Sequence, residues 1–163
     1  MSFLYVSTGR KPSVQSRKLG KLLTLLLNAK MENRGKRSIE DCVGRAENLG
    51  LKKALFIYET HGNPSELVFY DIEKGNWEPE SLLLKKISLP EREKGKRIPE
   101  ELNWSFEGEK GRKIAAFFGM EKDNIEEGIE SELSAIFSAG YISFHIGKEP
   151  ILFLKFELVK QKA

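Results

Sequence analysis

The first third of the chain alternates apolar and polar positions in two clear patterns. Phe3–Val6 is a continuous apolar run of the length expected for a buried strand. After Pro12, leucines recur at positions 19, 22, 23 and 26, the i, i+3, i+4, i+7 spacing of one helical face. Ser13 is the expected N-cap of this helix. The pattern therefore predicts a strand followed by an amphipathic helix.

A short extended piece and a basic loop then lead into a second helix. Ser38 and Asp41 have capping-box spacing at its start, and Gly50 is placed to end it. Ala54–Tyr58 and Leu67–Ile72 read as strands because they are bulky and apolar, with a turn at residues 61–64 between them.

The second half of the chain is more acidic, and its pattern is less regular. Asn124 and Glu127 are the expected start of a long helix whose inward stripe runs through Leu133 to Phe137 and which Gly140 ends. The predicted strands are Leu82–Leu89, Lys113–Phe118, and a closing hairpin of Tyr141–Ile146 and Ile151–Val159. Each half thus contains a helix followed by paired strands, which suggests an α/β (α+β mixed) fold with internal duplication.

Charge is segregated along the chain. The 163 residues carry a net charge of +3. Residues 1–53 hold 12 Lys/Arg and 4 Asp/Glu, a net +8, whereas residues 54–163 hold 15 and 20, a net −5. A Lys/Glu-rich surface typical of heat-stable proteins would explain the abundance of charge but not its segregation. The asymmetry favours a polyanion-facing side on the N-terminal part.

Targeting and membrane segments are not predicted. No apolar stretch approaches the roughly 18 residues that indicate a membrane span. The apolar start precedes Arg10 and Lys11, which is the reverse of the order in a signal peptide. The single cysteine, Cys42, excludes an intramolecular disulfide framework and fits a reducing compartment. We therefore expect a cytoplasmic protein with no membrane partner.

Residue types that carry catalysis are scarce. His61 lies in a turn and His145 in a strand, and neither has metal-ligand spacing to a second histidine or cysteine. Gly35–Ser38 is similar to the end of a phosphate-binding loop, but position 30 is Lys where the motif requires glycine. We expect no enzymatic activity, no metal, no cofactor and no small-molecule substrate.

Two basic, glycine-containing loops precede capped helices and supply the predicted nucleic-acid contacts. A phosphate backbone would be contacted from both loops and from the polar side of the first helix. The predicted RNA-binding residues are Arg10, Lys11, Arg17, Lys18, Lys21, Arg34, Lys36 and Arg37. The first helix could alternatively lie on a membrane surface, but a chain of this size needs its leucines for the core. Tyr5 and Tyr58 could stack on bases, but aromatic residues in strands are more often core residues, and we expect both in the core.

Four motifs in this region together resemble one known family. They are Ser7–Ser13, Ser16–Arg17, Asn33–Ser38 and Glu59–Pro64. Their order and spacing are similar to those of the Brix-domain family in its archaeal, single-domain form. The resemblance covers residues 1 to about 72.

The resemblance implies a non-catalytic ribosome biogenesis factor. It implies binding to ribosomal RNA or its precursor during subunit assembly, with ribosomal or other assembly proteins as further partners. It also implies one domain over residues 1–163 with two similar halves, about 1–79 and 80–163. Each half would be a small sheet with packed helices, like the anticodon-binding domain of class IIa aminoacyl-tRNA synthetases.

A protein-interaction module is the alternative to RNA binding. In that interpretation the acidic C-terminal half, with Glu126, Glu127, Glu130 and Glu132, docks basic ribosomal or assembly proteins. The N-terminal cations would then be a solvated surface only.

Overall fold

Three helices and ten strands form the described part of the chain. The computed structural model describes residues 3–89, 97–121 and 131–161. The helices are α1 (Val14–Leu27), α2 (Ile39–Asn48) and α3 (Gly108–Phe117). The strands are β1 (Leu4–Thr8), β2 (Lys30–Met31), β3 (Lys53–Thr60), β4 (Asn63–Asp71), β5 (Asn76–Trp77), β6 (Glu80–Ser88), β7 (Leu102–Phe106), β8 (Leu133–Phe137), β9 (Tyr141–Ile146) and β10 (Glu149–Lys160).

All of these strands belong to one mixed sheet. Its order is β2-β1-β3-β4-β6-β10-β9-β8-β7, and β5 pairs with β4. In the first half β1 is parallel to β3, which continues through antiparallel β4 to β6. In the second half β7 is parallel to β8, which continues through antiparallel β9 to β10. The same order of pairings thus occurs twice, and β6 and β10 join the two parts.

The sheet corrects the expectation that each half has a small sheet of its own. Antiparallel pairing from Phe153 with Ser88 to Lys160 with Glu80 makes the two parts continuous. The sequence predicted both strands but carried no signal for their pairing, because they are separated by more than 50 residues along the chain. The halves 1–79 and 80–163 and the likeness to anticodon-binding domains stay predictions.

Local signals in the first half correctly predicted its elements. Ser13 caps α1, where its hydroxyl accepts a hydrogen bond from the backbone N–H of Ser16. Ser38 and Asp41 form the capping box at the start of α2. The strands expected at 54–58 and 67–72 are β3 and β4; β3 extends beyond the predicted bounds at both ends, and β4 begins earlier and ends at Asp71. These features depend on neighbouring residues, which is why sequence alone predicts them.

Two elements of the second half differ from the prediction. Lys113–Phe118 was expected as a strand, but the segment through Phe117 belongs to α3 and Phe118 caps it. Buried Gly111, Ile114, Ala115 and Phe118 have helical spacing, and the apolar run within them imitates a strand. The predicted long helix is wrong at Leu133–Phe137, which is β8 with alternate residues buried. Its start at Asn124 lies outside the described residues.

Helices cover the two faces of the sheet unequally. We call the face that carries α1 and α3 the first face and the opposite face the second face. One core cluster on the first face includes Leu23 of α1 and Ile114 of α3. Phe69 of β4 contacts both Phe117 and Phe118, so this core crosses from one half to the other. A smaller cluster, including Cys42 and Ala46 of α2, packs on the second face against β1 and β3.

Among the described residues, no helix is both long enough and apolar enough to cross a membrane.

Candidate nucleic-acid interface

Two basic loops meet at one edge of the sheet. Strands β2, β1 and β3 are parallel neighbours, so their carboxyl ends lie at the same edge. The loop after β1 carries Arg10 and Lys11, and the loop after β2 carries the segment 33–37. The turn between β3 and β4 also lies at this carboxyl edge, as we call it below. Parallel pairing therefore brings together residues that the sequence separates by more than 20 positions.

Helix α1 extends the cationic surface away from this edge. Leu19, Leu23 and Leu26 are buried against the sheet. The predicted contacts on its opposite side, Arg17, Lys18 and Lys21, are exposed. The amphipathic pattern read from the sequence is confirmed, and the leucines are core residues. The alternative of a membrane-surface helix loses its apolar face to the core, although Val14 and Leu25 remain exposed.

The second basic loop is organised by its own arginines. The Nε of Arg34 donates to the carbonyl of Arg37 at 3.0 Å, and Nη1 of Arg37 donates to the carbonyl of Asn33 at 2.9 Å. Gly35 has φ of 56°, a conformation that glycine adopts without strain. Lys36 is exposed, whereas Arg34 and Arg37 are partly buried. The arginines thus shape the loop, and the lysine projects from it.

The N-terminus of α1 is occupied by a carboxylate of the protein itself. Oε2 of Glu59 accepts hydrogen bonds from the Ser13 backbone N–H at 3.0 Å and from the Ser16 hydroxyl at 2.7 Å. The Ser16 hydroxyl, followed by the Ser13 N–H, lowers the pKa of Glu59. The N-terminus of α2 is likewise closed by the Ser38–Asp41 capping box. Neither helix end is open to a phosphate, so cationic side chains are the available phosphate ligands at this edge.

A second carboxylate fixes the start of the basic loop to α2. Glu32 accepts hydrogen bonds from Arg45 at 2.7 Å and 2.6 Å and from the Tyr5 hydroxyl at 3.1 Å. The hydrogen bond from Arg45 is the main cause that lowers the pKa of Glu32 from 4.5 to about 2. Tyr5 is fully buried, and burial raises the pKa of its hydroxyl. Tyr5 is therefore a core residue, as predicted.

None of the eight predicted RNA-binding residues forms an ion pair with a carboxylate among the described residues. Other cations of the chain do so: Arg45 pairs with Glu32, Lys53 with Asp71 and Glu78, and Lys113 with Glu80. The positive charge of the carboxyl edge and α1 is thus not neutralised by directly paired carboxylates. Such a surface attracts a polyanion.

Sequence analysis missed three residues that shape this region. Glu59 and Glu32 have no local signal for their roles, because their partners Ser13 and Arg45 become neighbours only through the fold. Tyr58 was expected in the core but is only partly buried. Of the acidic set proposed for protein docking, only Glu132 is described, and its side chain is partly buried or exposed at the surface side of β8.

The histidines and the cysteine are not brought together. His61 is exposed in the β3–β4 turn with φ of 51°. Nδ1 of His145 lies 3.2 Å from the Ser143 hydroxyl on β9. Cys42 is buried in α2. Within the described ranges, no group of three or more His, Cys, Asp or Glu residues is placed to hold a metal ion.

The fold is that of a known class of archaeal proteins. A crystal structure of an archaeal Imp4-like protein superposes with a TM-score of 0.73, covering 97% of this chain and 99% of that one at 21% identity. No family model matches the sequence.

Curated relatives confirm the resemblance to archaeal Brix-domain proteins. A probable Brix domain-containing ribosomal biogenesis protein of Methanosarcina barkeri is 40% identical over 68 residues, which are 42% of this chain and 41% of that protein. The protein of the same description in Saccharolobus solfataricus is 34% identical over 71 residues, 43% of this chain and 42% of that one. The matches thus span about two fifths of the length of these curated relatives.

Proposed function

We propose that this protein is a ribosome biogenesis factor that binds ribosomal RNA, or its precursor, during subunit assembly. The observation that carries the proposal is the group of eight cations on the carboxyl edge and α1, none paired with a carboxylate among the described residues. The names of the archaeal relatives support the biological role. The binding mode is inferred from this chain's own charges.

Contacts to phosphate would come from side chains. Lys18 on α1 and Lys36 on the second loop are exposed, and Lys11 lies on the first loop. Arg34 and Arg37 would act from a loop that they already stabilise. Single-stranded loops or junctions are the favoured targets, since side chains cannot read the narrow major groove of A-form RNA.

The proposed role includes no reaction, cofactor or small-molecule substrate. RNA would be the primary partner, and ribosomal or assembly proteins would be secondary partners. We place this activity in the cytoplasm and in a single domain spanning 1–163.

Fluorescence anisotropy tests the proposal. The full chain is titrated into a structured ribosomal-RNA fragment, and into a duplex DNA of matched length, with heparin as competitor. Tighter binding to the RNA that persists against heparin is the expected result. Equal, weak binding to all three would contradict the proposal and favour a generic polyanion surface or a protein-docking module.

A further inference from the structure

A groove on the second face of the sheet lies beside the basic loop. It has a volume of about 550 Å³, within the range of roughly 300–1,000 Å³ that is common for ligand sites. Its floor is formed by strand residues, among them Val68 of β4, Leu83 of β6 and Val159 of β10. No described helix covers this part of the sheet, because α2 packs over β1 and β3.

Two aromatic side chains line the groove. Trp77 is held in place by Tyr70, with ring centroids 5.2 Å apart, and by Phe56, at 5.8 Å. Tyr58 belongs to β3 and is also partly buried. Aromatic side chains fixed in this way are platforms on which an unpaired base can stack.

The groove also contains an enclosed acceptor. The side-chain oxygen of Gln161 is buried and has no hydrogen-bond partner within the described part of the chain. Gln161 itself is anchored by its backbone N–H, which donates to the carbonyl of Pro79 at 2.8 Å. A buried acceptor without a partner is costly, and a ligand that donates a hydrogen bond would satisfy it.

The groove is continuous with the basic loop. Arg34, from the loop after β2, lies beside the Tyr58 hydroxyl, and Tyr58 lines the groove. Lys160 stands at the opposite side of the groove and is exposed. Positive charge therefore borders the aromatic site on both sides, which complements a ligand that carries phosphates.

We propose that this groove binds one unstacked nucleobase of a single-stranded RNA, a base that bears an exocyclic amino group. The base stacks on Trp77 or Tyr58, its amino group donates to the Gln161 oxygen, and its flanking phosphates lie toward Arg34 and Lys160. This inference rests on the proposed RNA-binding function and adds a base-recognition site to it.

Tryptophan fluorescence provides the first test, because the chain has two tryptophans, Trp77 and Trp104. Trp104 packs against Phe137 in the first-face core, away from the groove. In Trp104→Phe, which retains Trp77 alone, the addition of twelve-residue oligoadenylate should quench the emission. In Trp77→Phe, which retains Trp104 alone, the emission should not change. Equal responses in the two variants would overturn the proposal.

The second test concerns the amino group, and it leaves Trp77 and its packing intact. Gln161→Leu should bind oligoadenylate about fivefold more weakly, the loss expected for one hydrogen bond of about 1 kcal/mol. Oligouridylate lacks the amino group and should bind the variant and the wild type alike. Because no charge is altered, the salt dependence should also be unchanged. An equal change in affinity for both oligonucleotides, or none for either, would overturn the site.

Failure of this site and failure of the proposed function give different results. If wild-type protein binds ribosomal RNA but the Gln161 and tryptophan variants behave as the wild type does, the groove is not used while RNA binding stands. If the wild type binds no RNA, the proposed function and the groove proposal both fail.

Discussion

At the residue scale, two carboxylates organise the cationic region. Glu59 links the end of β3 to the N-terminus of α1, and Glu32 links the end of β2 to α2. Each is ionised and held by hydrogen-bond donors, so each removes an open anion site while it positions a basic loop. The remaining cations are left for an external ligand.

The Glu32–Arg45 pair predicts a loss of stability in acid. The hydrogen bond from Arg45 holds the pKa of Glu32 at about 2, below its ordinary value of 4.5. A lowered folded-state pKa contributes stability that is complete above about pH 4.5 and is lost as the pH falls toward 2. Glu32→Gln should therefore be less stable at pH 7 and should lose less stability between pH 4.5 and pH 2. Urea denaturation at a series of pH values measures this.

A matched control separates this pair from general acid effects. Glu47 is an exposed residue of the same helix as Arg45. Glu47→Gln should keep the wild-type pH profile. If both glutamine variants show the same profile, the pair does not cause the acid sensitivity.

Glu59 gives a second prediction at this scale. A neutral amide is a weaker acceptor than a carboxylate, and Glu59 accepts from two donors at the start of α1. Glu59→Gln should lower the free energy of unfolding by about 1 kcal/mol, comparable to the loss of a helix cap. Denaturant unfolding monitored by circular dichroism checks this, and an unchanged midpoint would contradict it.

Residue-scale features were predictable only where their partners are close in sequence. The caps formed by Ser13 and Ser38 were predicted because each contacts a residue three positions away. The contact of Glu59 with Ser13 spans 46 residues and depends on the parallel pairing of β1 with β3. No local pattern carries that information.

At the element scale, the burial pattern distinguishes α3 from a strand. Gly111 packs against the backbone of β8, where an added Cβ would lie 2.5 Å from the carbonyl oxygen of Phe137. The sequence shows an apolar run at 114–118, but the glycine one turn earlier is where α3 approaches the sheet backbone. The long-helix prediction failed at β8 for a related reason, since its apolar residues satisfy both helical and alternating spacing.

Substitution of two helical glycines tests this packing. Gly111→Ala should destabilise the protein because rigid backbone opposes the new methyl group. Gly44→Ala in α2 meets no atom within 4 Å and should stabilise by about 0.5–1 kcal/mol through helix propensity. Thermal unfolding of both variants measures the difference. A Gly111→Ala protein as stable as Gly44→Ala would contradict the packing of α3 on β8.

At the scale of the whole molecule, the continuous sheet explains the division of surfaces. Parallel strands place both basic loops at the carboxyl edge, and the β6–β10 pairing extends the sheet into the more acidic half. The segregation of charge was readable from the sequence, and so was the presence of most strands. The single sheet and the groove lined by Trp77 and Gln161 were not, because they arise from pairings between distant segments.

The central claim is that the cations of the carboxyl edge and α1 contact RNA phosphates, and the salt dependence of RNA binding tests it most directly. The substitutions Lys11→Ala, Lys18→Ala and Lys36→Ala are combined in one variant, which avoids the arginines that hold the loop. The combined substitutions Lys74→Ala, Lys110→Ala and Lys148→Ala remove three exposed lysines elsewhere and serve as the control, with the same change in net charge.

The slope of log K against log salt concentration should flatten by about 2 in the first variant, since each phosphate of a single strand that is no longer neutralised reduces the slope by about 0.7. The control should keep nearly the wild-type slope. Equal slopes for the two variants would show that net charge, and not this surface, governs binding, and would contradict the account.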